Sequence, residues 1–216
     1  MKTLLRAASL VSWVTHPLFT SIFLIVAFSL NRYPVHQAMF IVALLVIGVM
    51  LPMNLVTYIG VKRGRLTNFD VSSRKQRTPL YFMVIVLMMT ASCIIYAFDM
   101  DKQLFLSCLL ISSLLSAINL INYFIKVSLH VSLNVFFCFI VYKLYPSSAL
   151  FSAVLMPIVG FSRVLLGRHS QKEVILAGVV GLLFGATFLV LSESKKTVRG
   201  KLYRETSIQK EIRKAG

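Results

Sequence analysis

His169 and Glu173 stand four residues apart in the stretch SRVLLGRHSQKE, residues 162 to 173. On a helix that begins near them, the two share one face. A carboxylate that accepts a bond from one imidazole nitrogen fixes the tautomer and leaves the other nitrogen free to attack phosphorus. A second histidine, His130, closes the segment KVSLH, residues 126 to 130, and is suited to protonate a leaving oxygen. Arginine offers a planar fork of donors that matches phosphate oxygens. Arg163 precedes His169 in its stretch, and Arg74, Lys75 and Arg77 crowd NFDVSSRKQRTP, residues 68 to 79. Arg74 and Arg77, three apart, would share a helical face. Ser128 is placed to cap a helix whose first N–H groups face an anion. A histidine nucleophile, a histidine acid and arginine clamps together describe metal-free phosphoryl transfer. Near these segments the only acids are Asp70 and Glu173, too few for a Mg²⁺ site, so neither metal nor cofactor is expected.

The elements that must position these groups are membrane helices. The chain is 57 % hydrophobic and 14 % charged, against about a quarter charged for a soluble domain of this size. Its charge-poor runs reach roughly 18 to 23 residues, enough to cross ~30 Å of hydrocarbon as helices. The expected fold is all-α, a polytopic transmembrane helix bundle of six to seven spans within residues 1–192. Candidate spans are 14–31, 38–60, 80–98, 103–125, 130–145, 147–166 and 174–192. The fifth is the weakest, being short and carrying Asn134 and Lys143. The basic start before the first run, with no small-residue cleavage site, reads as the approach to a retained first helix.

Span parity brings the polar segments together. Two spans separate residues 68–79 from KVSLH, and two more separate KVSLH from SRVLLGRHSQKE. Even numbers of crossings return the chain to one membrane face each time. Asp99 and Asp101 fall on the opposite face by the same count.

The net charge of +16 fits topology signals and anionic headgroups better than nucleic acid, which is not an expected partner. The tail, residues 193–216, carries eight cations and reads as an exposed, partly helical or disordered cytoplasmic segment attracted to anionic lipid. Cys93, Cys108 and Cys138 are scattered in apolar runs and read as small core residues. GLLFG, Gly181 to Gly185, reads as a close-packing face inside the bundle. His16 and His36 read as structural. The oligomeric state is left open.

The pattern resembles the type 2 phosphatidic acid phosphatase family, the membrane lipid phosphatases related to vanadium-dependent haloperoxidases. That family carries K-x6-R-P, P-S-G-H and S-R-x5-H-x3-D. The third motif is met by Ser162, Arg163, His169 and Glu173, with Glu for Asp. The second is met by Ser128 and His130, with Val127 and Leu129 replacing Pro and Gly. In the first, Thr78 separates Arg77 from Pro79, and Asp70 stands where Lys is expected; Arg74 or Lys75 is left to supply that cation. The resemblance covers residues 68–185. It implies a phosphohistidine on His169, with Glu173 orienting it and His130 as general acid. Arg77, Arg163 and Ser128 would hold the phosphate.

The implied activity is hydrolysis of a lipid phosphomonoester or diphosphate of the phosphatidate, phosphatidylglycerol phosphate or polyprenyl diphosphate class. The competing reading is a non-catalytic lipid-phosphate binding or transport protein that keeps the anion pocket. With seven spans, a cytoplasmic basic tail places the site outside, facing the periplasm if the membrane is a bacterial inner membrane.

Overall fold

Residues 1–215 are described by a computed structural model, except Asp70 and Ser72; side chains are described except those of Arg74, Ala149, Phe151 and residues 194–215. The described residues form helices and no strands. In chain order these are α1 (Lys2–Val14), α2 (Pro17–Arg32), α3 (Val35–Val42), a π-helical segment (Ala43–Met50) and α4 (Leu51–Lys62). They continue as α5 (Arg74–Ala97), α6 (Lys102–Ile121), α7 (Leu129–Leu144), α8 (Ala149–Leu165) and α9 (Gln171–Ala215). The tail read as exposed and lipid-seeking lies, from Ser194 onward, outside the described side chains.

Among the described residues, five helical rods are long and apolar enough to cross a membrane, or six if the bent α1–α2 pair counts as one span. The chain is therefore an all-α integral membrane bundle. The fifth sequence candidate corresponds to α7, 16 residues and about 24 Å long. It is short for a span, and it is central. Every residue from His130 to Phe137 is buried, and α7 packs on α2, α6, α8 and α9. A helix surrounded by protein can carry polar groups that bond to neighbours. Ser132 Oγ donates to the Ala177 carbonyl at 3.0 Å and Asn134 Nδ2 to the Thr15 carbonyl at 2.9 Å.

Opposite Ser132, GLLFG closes the α7–α9 contact. A Cβ on Gly181 would lie 2.7 Å from the Ser132 carbonyl oxygen, and one on Gly185 would overlap the Phe139 ring. These glycines serve packing within one bundle, as their spacing suggests.

The N-terminal approach is a helix in its own right. Pro17 forces His16 into extended backbone, ending α1, and then starts α2 at its first turn. The elbow bends the pair by 42° and lays α1 against α8. The π-helical segment likewise has a local cause. Pro52 has no N–H and its ring crowds the carbonyl four residues earlier, so the preceding bonds shift to wider spacing. The Leu51 N–H accordingly donates to the Val46 carbonyl, five residues back.

Contacts away from His169 tie the far end of the bundle. Arg32 pairs with Asp101 at 2.8 Å, Asn31 Nδ2 donates to the Tyr145 hydroxyl, and Lys102 Nζ donates to the Leu191 carbonyl. Asp101 thus sits opposite the candidate site, capping α6.

Candidate functional site

The turn between α8 and α9 explains the spacing of Arg163 and His169. Gly167 adopts φ +64°, the left-handed conformation that ends a helix. The N–H of Gly167 donates to the Val164 carbonyl at 2.9 Å and that of Arg168 to the Arg163 carbonyl at 3.0 Å. This is the paired closure of a Schellman turn. It folds the chain back so that the His169 N–H also approaches the Arg163 carbonyl, at 3.3 Å.

The next four residues, Ser-Gln-Lys-Glu, form a capping box. The Ser170 hydroxyl accepts from the Glu173 N–H, and the Glu173 carboxylate accepts from the Ser170 N–H, both at 3.3 Å. The same carboxylate oxygen lies 2.8 Å from His169 Nδ1. Glu173 therefore starts α9 and holds the imidazole at once. A carboxylate partner places the proton on Nδ1 and leaves the Nε2 lone pair available.

His169 is buried and its pKa falls to about 4. Burial is the main cause, with the positive charges of Lys126, Arg163 and Arg77 pushing the same way. The bond to Glu173 opposes them. The imidazole is accordingly neutral near pH 7, the form that can act as a nucleophile.

Arg77 enters from the first turns of α5. Its guanidinium is buried, donating from Nε to the Val71 carbonyl at 2.6 Å and from Nη1 to the Val127 carbonyl at 3.4 Å. Val71 is held at φ +43°, which is strained for a β-branched residue. Such strain, of order 1–3 kcal/mol, persists where surrounding contacts over-determine it. Here it aims a carbonyl at Arg77. Among the described residues, Arg77 thus meets two carbonyl oxygens.

Arg163 is buried in the last turn of α8, where Nη1 donates to the Ser12 hydroxyl of α1 at 2.7 Å. Ser128 stands at the N-cap of α7, buried, and its hydroxyl has no hydrogen-bond partner among the described residues. His130 follows in the first turn, buried, with the His16 ring edge-on at 4.7 Å between centroids.

One cavity gathers these groups: His16, Arg77, His130, Arg163 and His169 all line it. Segments distant in sequence thus meet at one end of the bundle, as span parity requires. Glu173 stands behind His169, and Ser128 adjoins the cavity-lining Leu129 and His130. Lys75 does not join them; it is exposed and outside the lining. The Arg74 side chain lies outside the described residues.

Two contributors were not singled out from the sequence. Lys126 Nζ donates to the Arg168 carbonyl at 2.8 Å, which places an ammonium beside His169. Its position two residues before Ser128 was the available signal. His16 caps α2, its Nδ1 accepting from the Leu18 N–H at 3.2 Å, and faces the cavity instead of serving only the helix end. The pair His16-Pro17 marked an elbow, but nothing local pointed it at His130.

No family model, curated protein or solved structure matches the chain. The chemistry of the site therefore stands on its own geometry.

Proposed function

We propose that the chain is a metal-independent lipid phosphatase of the type 2 phosphatidic acid phosphatase kind. The observation that carries this reading is the 2.8 Å contact of Glu173 with His169 at a cavity also lined by Arg77, Arg163 and His130. Neutral His169 attacks phosphorus through Nε2 while the ester oxygen departs with a proton from His130. Glu173 stabilises the positive charge that develops on the ring. Water then attacks the phosphohistidine, giving its proton to His130 and releasing inorganic phosphate and free His169. Arg77 and Arg163 neutralise the phosphoryl oxygens, and the Ser128 hydroxyl with the first N–H groups of α7 adds neutral donors. Lys126 supplies the cation that position 70 does not, from a different segment than the motif would suggest.

The site faces the outer side of the membrane in this reading, with the basic tail cytoplasmic. The test is phosphate release, in nanodiscs, from phosphatidate, phosphatidylglycerol phosphate and a polyprenyl diphosphate. Wild type is expected to release phosphate from at least one, with inhibition by vanadate and little effect of EDTA. His169→Ala and His130→Ala are each expected to remove most of that activity. Wild-type rates in both variants would overturn the assignment.

A further inference from the structure

The cavity does not end at its polar groups. Along α5 its lining runs from Arg77 to Met88, along α6 from Leu115 to Leu104, and along α7 from Leu129 to Ile140. At 1.5 Å per residue each stripe is about 16 Å deep, so three separate helices agree on one depth. Below the charged end the walls are mostly apolar, with Ser21, Ser29, Asn54, Thr57 and Ser107 as polar exceptions among the described residues. The passage follows the seam between two core clusters, one centred on α6 and α7, the other on α2, α3 and α5. The π-helical segment lines it through Leu45, Val49 and Met50. Met100, in the turn before α6, and Leu144, at the end of α7, pack against the second cluster at the far end of the bundle.

An apolar void this deep forfeits packing contacts unless something fills it. In a bilayer the abundant apolar filler is a hydrocarbon chain. The cations at one end say which chain, namely one joined to a phosphate. We infer that the passage is a binding site for a single hydrocarbon tail of the phosphate-bearing lipid, threaded through the bundle toward Leu104 and Ile140 while the phosphate rests among Arg77, Arg163 and His169. This rests on the reading of the charged end as a lipid-phosphate site. A fully extended chain advances about 1.2 Å per bond, so ~16 Å holds roughly thirteen bonds. The favoured class is therefore a lipid phosphate with one chain of about that length inside the bundle; a second tail would have to stay in the bilayer.

The experiment uses the full chain in nanodiscs and dodecyl phosphate bearing a terminal diazirine, photolysed and mapped by mass spectrometry. Adducts are expected at the floor, on Leu104, Cys108 or Ile140. Adducts confined to outward-facing residues such as Val86 and Leu182 would overturn the tail site. Labelling does not require turnover. Floor adducts without phosphate release would sink the phosphatase and keep the tail site, whereas phosphate release with only outward adducts would do the reverse. Ser107→Phe narrows the passage near its floor. It is expected to lower kcat/KM for dodecyl phosphate about tenfold and to leave butyl phosphate within about twofold. A variant that treats both esters as wild type does counts against the proposal.

Discussion

Replacing Glu173 by glutamine separates its two jobs. The carboxylate accepts from His169 at 2.8 Å and closes the α9 capping box at 3.3 Å, and its side chain is only 20 % exposed. Glutamine keeps an oxygen for the cap, since capping boxes accept Gln as well as Glu. It cannot supply the charge that stabilises the ring as His169 becomes positive. A hydrogen bond to a charged group contributes about 1.5–3 kcal/mol against about 1 for a neutral one. The difference, about 0.5–2 kcal/mol, belongs to the transition state and predicts a fall in kcat of about tenfold, within a range of about 2- to 30-fold. Glu173→Ala should lose that and the cap, adding about 1 kcal/mol of lost stability. The paired measurement is kcat for phosphate release alongside the thermal unfolding midpoint in nanodiscs. Glutamine should lower kcat with little change in midpoint, and alanine should lower both. If Glu173→Gln retains wild-type kcat, Glu173 is a helix cap and the account of His169 is wrong.

Three further expectations follow from the same geometry. His169 is depressed to about 4, so protonation should quench the nucleophile only as pH falls toward that value. The acid limb of kcat/KM is then expected well below the ordinary histidine value of 6.5, and a limb at 6.5 would contradict a buried imidazole among cations. Lys126→Gln removes one of those cations from beside His169; a fall in kcat/KM of about tenfold is expected, with partial rescue by Lys126→Arg. Wild-type kinetics in Lys126→Gln would return the lysine to a purely structural role. Gly185→Leu drives a side chain into the Phe139 ring, so the unfolding midpoint should drop by an amount equivalent to about 1–3 kcal/mol. An unchanged midpoint would mean that α7 and α9 do not meet at this face.

Much of the site is local, and for that reason legible. The spacing of Arg163, His169 and Glu173 is one Schellman turn followed by one capping box, each made by residues within a few positions of one another. Gly167 and Ser170, not singled out in the sequence, make the turn and the box. The apolar rods were equally plain, because a membrane demands long uncharged runs. Even the meeting of residues 68–79, KVSLH and SRVLLGRHSQKE follows from counting crossings.

The remainder depended on which helices touch. The weakest apolar run became the central helix: its 16 residues are short for a span, and Ser132 and Asn134 tie it to neighbouring helices. His16 faces His130, and Ser12 holds Arg163, only because the Pro17 elbow lays α1 on α8. Lys126 reaches His169 through a carbonyl from another segment, and exposed Lys75 does not line the cavity. The deep passage belongs to no segment at all. By itself the sequence determined the helices and their turns, because neighbours along the chain settle those hydrogen bonds. Only the tertiary structure decided which buried side chains share a cavity, because that depends on packing between surfaces that periodicity leaves unpaired.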